Sequence, residues 1–181
     1  MGVSQAIQTR RAYRALEGVE ITEETIKDLA YHASLAPSCF NNQPWRFVFV
    51  RSPGKLREVF AALPKGNAWA TKASLVVAVY SGKELDCALD EREYYLFDTG
   101  LAAGFMVLRA TELGLVAHPI AGYDPAKVKQ ALDIPEEMCL ITLIVVGKHA
   151  PGANELLTDF QKAQEASRPE RKPFDEIARI V

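Results

Sequence analysis

The sequence predicts an α+β fold of a few buried strands, one dominant long helix and a tail, and three observations carry the prediction. Residues 46–51, 74–80 and 139–147 are short runs dense in Val, Ile, Leu and Phe, as strands are. The last two are apolar almost throughout, as expected of strands covered on both faces. Between the runs lie stretches whose apolar residues recur every three or four positions, the longest from Asp86 to about Gly114.

Taken in order, Ser4 to Tyr13 reads as a short helix with Ala6, Ile7 and Tyr13 as core contacts. Gly18 breaks the chain. Thr22 is the N-cap of a second helix, with Glu23 and Glu24 placed where carboxylates meet the positive end of the helix dipole. That helix runs to about Leu35, burying Ile26, Leu29, Ala30 and Ala33, and Pro37 stops it. After the first strand, Pro53 and Gly54 lead into a helix ending near Leu63, and Pro64 to Asn67 is a loop. In the long helical stretch, Tyr94, Phe97, Leu101, Phe105 and Leu108 form the expected core stripe. Ala102, Ala103 and Gly104 leave room for another backbone. Residues 114–124 are mostly extended, and Asp124 caps a helix that starts at Pro125.

Beyond Ala150 the chain turns polar, so residues 151–181 read as an arm with one short helix. An arm that does not pack on its own core often packs on a partner; the alternative is a frayed tail. There are no repeats and no internal domain boundary is visible, so 1–181 is read as a single domain.

Composition excludes several classes. Of 181 residues, 49% are apolar and 24% charged, a globular balance, and a net charge of -2 gives no electrostatic case for nucleic acid or an anionic membrane. No apolar run approaches the roughly 18 residues that span a bilayer, and no signal peptide is visible, which points to the cytoplasm. Cys39, Cys87 and Cys139 are odd in number and far apart, which argues against a disulfide and fits a reducing cytosol. His32, His118 and His149 are scattered, so no metal site is expected.

Two groups of residues suggest chemistry. Arg10, Arg11 and Arg14 crowd the end of the first helix, and Arg168, Arg171 and Lys172 lie near the end of the chain. Either cluster alone is consistent with a solvated face. If the arm folds back, the two can share one phosphate, whose oxygens match guanidinium forks. Ser38, Asn41, Asn42 and Gln43 form a neutral polar loop beside Pro44 and Trp45, suited to hydrogen-bonding a flat, polar-edged molecule or simply to a self-bonded turn. No phosphate-binding glycine loop and no G-x-S-x-G is present. A place for a phosphorylated ring with little acid–base machinery suggests that a cofactor carries the chemistry.

The order Arg10-Arg11-Ala12-Tyr13-Arg14, then Ala-Pro-Ser-Cys-Phe-Asn-Asn-Gln-Pro-Trp-Arg-Phe over 36–47, resembles the opening of the FMN-dependent nitroreductase family. Gly66-Asn67, Glu112 to Leu115, Gly122-Tyr123-Asp124 and Arg171 to Ile177 add weaker matches across the whole chain. The resemblance implies an α+β, nitroreductase-like α/β sandwich with a central, mostly antiparallel sheet flanked by helices, forming an intertwined homodimer with the 151–181 arm on the partner and two FMN molecules at the interface. It implies Arg10, Arg11, Ala12 and Arg14 at the phosphate, ribityl chain and pyrimidine edge. Pro37, Ser38 and Asn41 would reach the flavin of the other subunit, and Asn67 its polar edge. Ile120, Ala121 and Gly122 would lie beside the ring, and Arg171 or Lys172 would close on the phosphate. The family's serine is Ala12 here, one hydroxyl donor fewer. The implied activity is ping-pong reduction of nitroaromatics, quinones or similar small-molecule acceptors, with NADH or NADPH delivering hydride to flavin N5. His118 is the weak candidate for a proton donor. Alternatives on the same scaffold are a dehalogenase, an enone reductase, or an FMN storage or sensor protein without efficient turnover.

Overall fold

The computed structural model describes residues 1–152 and 155–181. The helices are α1 (Val3–Thr9), α2 (Glu23–Ser34), α3 (Pro53–Phe60), α4 (Tyr94–Glu112), α5 (Pro125–Leu132), α6 (Asp159–Ala166) and α7 (Phe174–Ile177). The strands are β1 (Leu16–Glu17), β2 (Arg46–Val50), β3 (Leu75–Ser81), β4 (Ala88–Leu89), β5 (Arg92–Glu93), β6 (Val116–Ile120) and β7 (Cys139–His149).

The main sheet is built around β7, which pairs with β3 and β6 along overlapping stretches, while β2 adds to β3 and β1 joins the end of β7. Every pairing among the described residues is antiparallel. Both faces are covered, which is why β3 and β7 read as continuous apolar runs. Leu75, Val77, Val79, Ile144 and Val146 face α2 and α4, with Leu29, Ala33, Ala102, Met106 and Ala110. Val76, Ala78, Leu143 and Val145 face the opposite layer, with Leu56, Val59, Trp69 and Val128. Thr22 caps α2 through Thr25 N, and Asp124 caps α5 through Lys127 N, as their positions predict.

Three expectations are corrected. The long helix begins at Tyr94, because a 3-10 turn and the β4–β5 hairpin occupy the stretch before it. Asp90 sits at that hairpin's turn with φ 58, a left-handed conformation that Asp tolerates. The expected core stripe of α4 also faces the wrong way. Phe97 is 62% exposed and Phe105 is exposed too, whereas Tyr95, Asp98, Thr99, Ala102, Met106 and Ala110 are buried. Close approach of helix to sheet selects small side chains such as Ala102 and Ala110, so the bulky residues are left on the outer face. Finally, Cys39 and Cys87 form a disulfide, with Cα atoms 6.2 Å apart, and Cys139 alone is free. Separation in sequence hid this, because the loop after α2 folds across the start of the 86–93 segment.

Candidate functional site

The site is assembled from the two ends of the chain. The chain leaves α1 at Arg10 (φ -53, ψ 124), so residues 10–14 run over the surface toward β1. Tyr13 stacks on His149 with ring centroids 3.6 Å apart, and the Arg11 guanidinium lies 4.7 Å above the Tyr13 ring. This platform receives α6. Arg11 Nη2 donates to the carbonyls of Gln164 (2.8 Å), Glu165 (3.3 Å) and Ser167 (2.7 Å). These are carbonyls at the C-terminal end of α6, where a cation complements the helix dipole. Arg14 donates its backbone N–H to Glu165 Oε1 at 2.8 Å and Nη1 to Gln164 Oε1 at 3.0 Å. Arg168 Nη2 returns to the carbonyls of Gln8 (2.7 Å) and Arg10 (2.6 Å). A capping box between Thr158 and Gln161 starts α6, and Gln161 Nε2 donates to Gly66 O at 2.8 Å.

The result is a cavity of about 220 Å³ lined by Arg10, Arg11, Ala12, Arg14, Gln164, Arg168, Pro169 and Arg171. Five of the eight lining residues are arginines and none is acidic. Among the described residues, neither the Arg10 nor the Arg171 guanidinium has a hydrogen bond or an ion pair. Burial, and then the nearby Arg168, Arg171 and Arg11 charges, hold the Arg10 guanidinium below its ordinary pKa. Cations are held together here at an electrostatic cost that an anion in the cavity would relieve.

The cavity unites the two basic clusters of the sequence and distinguishes their members. Arg10 and Arg171 are free to meet an anion, whereas Arg11 holds α6. Lys172 does not line the cavity and pairs instead with Glu176 at 3.3 Å. Ala12 lines it too, where a serine would add a hydroxyl to the cavity wall. Gln164 and Pro169 were not legible as site residues, because their segment carries no motif.

The other expected residues lie elsewhere. Pro37 and Asn41 are exposed and Ser38 is half-buried, in a loop outside the cavity. Phe40, Asn41 and Gln43 adopt positive φ (48, 59 and 49), and Phe40 is 86% exposed. Ser38 Oγ accepts from Gln43 N at 3.0 Å, and Cys39 N donates to Asp98 Oδ2 at 2.6 Å. Asn67 Nδ2 donates to Gly122 O at 2.7 Å, and a Cβ on Gly122 would come within 2.8 Å of that nitrogen. The side chain of Ile120 is buried in the core rather than presented, while Ala121 and Gly122 are exposed.

His118 is corrected as a proton donor. It is 7% exposed, stacked against Trp69 at 4.8 Å, and bonded through Nδ1 to Tyr13 O at 3.1 Å. Burial pushes its pKa down to about 4, so it is neutral near pH 7 and props the 10–14 segment.

Known proteins give a consistent frame. The sequence model described as "Nitroreductase family" matches residues 7–97 and 59–148. A Stenotrophomonas maltophilia protein named "Putative NADH dehydrogenase/NAD(P)H nitroreductase" is 28% identical, across 99% of this chain and 95% of its own length. The solved structure of an oxidoreductase containing FMN is 27% identical, with a TM-score of 0.82, covering 98% of this chain and 91% of that one. An Exiguobacterium sibiricum structure, solved in complex with FMN, shares the fold at a TM-score of 0.84 and 20% identity, covering 100% of this chain and 98% of its own. With the family model spanning most of the sequence and the fold agreeing from end to end, this chain belongs to the nitroreductase family.

Proposed function

We propose that the protein is an FMN-dependent oxidoreductase that uses NADH or NADPH to reduce nitroaromatics, quinones or similar conjugated acceptors by alternating half-reactions. The observation that carries this reading is the arginine-lined cavity with two unpaired guanidiniums, which fits a phosphate dianion in charge and donor geometry. Relatives named for NAD(P)H nitroreductase activity, and an FMN-containing structural neighbour, support it.

In this reading Arg10 and Arg171 hold the phosphate, while Arg11 and Arg168 fix the walls. Ala12, Arg14, Asn67, Ala121 and Gly122 follow the rest of the cofactor. Pro37, Ser38 and Asn41 lie outside the cavity and serve the cofactor of a second subunit, in a homodimer. The exposed Phe97 and Phe105 of α4, and Phe174, Ile177 and Ile180 of the tail, supply apolar surface for that interface. Residues 151–181 then divide: α6 and the stretch to Arg171 stay on their own subunit, and the residues after it reach the partner. The bound flavin supplies the hydride chemistry, and the chain supplies position and positive charge. We place the reaction in the cytoplasm, in keeping with its nicotinamide reductant; no helix among the described residues is long and apolar enough to cross a membrane.

The test is anaerobic. Protein loaded with FMN should lose its flavin absorbance with NADH or NADPH and regain it with a nitroaromatic or quinone. Failure to bind FMN at all rejects the reading. The buried, neutral His118 favours a second possibility, a storage or sensor protein. FMN binding without bleaching by either nicotinamide would select that one.

A further inference from the structure

We propose that Cys39 and Cys87 form a reducible clasp, and that a dithiol reductant opening it frees the loop from Pro37 to Gln43 from the segment ahead of α4. The bridge ties the 3-10 turn at Cys39–Asn41 to the residue just before β4. Both cysteines are half-exposed, so a thiolate from solvent can reach them.

The loop has few other ties. Cys39 N meets Asp98, and Ser38 Oγ bonds only within the loop. Asn42 Nδ2 reaches Asp86 Oδ1 (3.3 Å) and Cys87 Sγ (3.5 Å), so these contacts also end on the Cys87 side. Phe40 contributes almost no burial. Phe40, Asn41 and Gln43 hold left-handed backbone, which costs a non-glycine residue about 1 kcal/mol each. A loop held in this way relaxes when its covalent tie is cut.

The surroundings also suit thiol exchange. A carboxylate oxygen of Asp86 and both sulfurs lie within 4.8 Å of one another. Asp86 Oδ2 is buried without a hydrogen-bond partner. Burial raises the pKa of Asp98; the Cys39 amide opposes the rise and Asp86 adds to it.

The exchange balances as follows. A thiolate of the dithiol attacks one sulfur, the S–S bond breaks, and the other sulfur leaves as a thiolate that takes up a proton. The second thiol of the reductant then displaces the first protein sulfur and closes its own disulfide, so two electrons and two protons pass to the protein. In a reducing compartment a half-exposed bridge is transient, which makes it a switch rather than a staple. The consequence for the cofactor rests on the proposed function, since Ser38 and Asn41 ride on the freed loop.

The test uses the full chain, oxidised with oxidised glutathione or reduced with dithiothreitol. Iodoacetamide should label one cysteine before reduction and three after it. Amide exchange over 37–43 should rise about tenfold on reduction, with β3 and β7 unchanged. Cys87→Ser should reproduce the reduced pattern and ignore dithiothreitol. Three labelled cysteines in the oxidised protein, or equal exchange in the two states, would overturn the clasp. FMN affinity should fall about tenfold on reduction, and equal affinity overturns control of the cofactor. Absence of FMN binding in both states counts against the flavin reading instead, and the labelling and exchange results still decide the clasp.

Discussion

Arg10 and Arg11 are neighbours with opposite duties. Arg11 bonds three carbonyls and a tyrosine face, whereas the Arg10 guanidinium bonds nothing among the described residues. Arg11→Ala should therefore lower stability by about 2 kcal/mol, the range for lost hydrogen bonds to a charged donor, as read by chemical denaturation. Arg10→Ala should leave the melting temperature of the apoprotein unchanged or slightly higher, because it relieves like-charge repulsion. It should weaken FMN binding about thirtyfold, equivalent to about 2 kcal/mol. Fluorescence quenching would show equal affinity if Arg10 has no such role. At Ala12, restoring a hydroxyl with Ala12→Ser should tighten FMN binding about fivefold, the value of one hydrogen bond. The sequence marked these arginines as a group but did not assign them, because which cation is spent on structure depends on where α6 docks. His118 was misread for a related reason: burial under Trp69 leaves no local signature. Its pKa falls from 6.5 unfolded to about 4 folded, so the unfolded chain binds the extra proton between those values. The neutral form's stability is complete above pH 6.5 and is lost as pH falls toward 4, about 3 kcal/mol in all. His118→Gln should flatten that part of the stability profile, and an unchanged profile would show that other groups carry it.

At the level of elements, strands, caps and the buried face of α2 were legible, and the face of α4 was not. β2, β3 and β7 announced themselves because a doubly covered strand has no polar side to disguise it. Thr22 and Asp124 did so because their side chains close the first turns that follow them. In α4, apolar residues occur on both sides, so periodicity alone chose the larger ones and pointed outward. The tail helix α6 was expected only as a short helix in a detached arm, since its contacts with Arg11, Arg14 and Gly66 are all distant in sequence. Thr158→Ala removes its cap and should cost about 1 kcal/mol locally. That loss should appear as faster amide exchange over 159–166, together with weaker FMN binding, because α6 carries Gln164 to the cavity.

The whole molecule is a sheet covered on both faces that still leaves bulky apolar residues outside. Phe97, Phe105 and the tail's Phe174 and Ile177 are exposed in the single chain. If they form the subunit interface, Phe97→Glu should convert a dimer to monomers by sedimentation and lose FMN at the same time. A monomer that keeps full affinity would show that one subunit holds the cofactor alone. The fold class could be read from the sequence because it rests on local patterns; the outer apolar face of α4 could not, because periodicity assigns it to the interior.

The anion cavity joins Arg10, near the first residues of the chain, to Arg171, near the last. On the ribosome, then, the half of the cavity carried by residues 10–14 waits, charged and unfilled, until residue 171 has been made. A chain released early, before residue 171, can still build the sheet and both of its covering layers. If Arg171 holds the cofactor, such a chain would be folded but colourless, and the yellow of bound flavin would report that translation had run past that point.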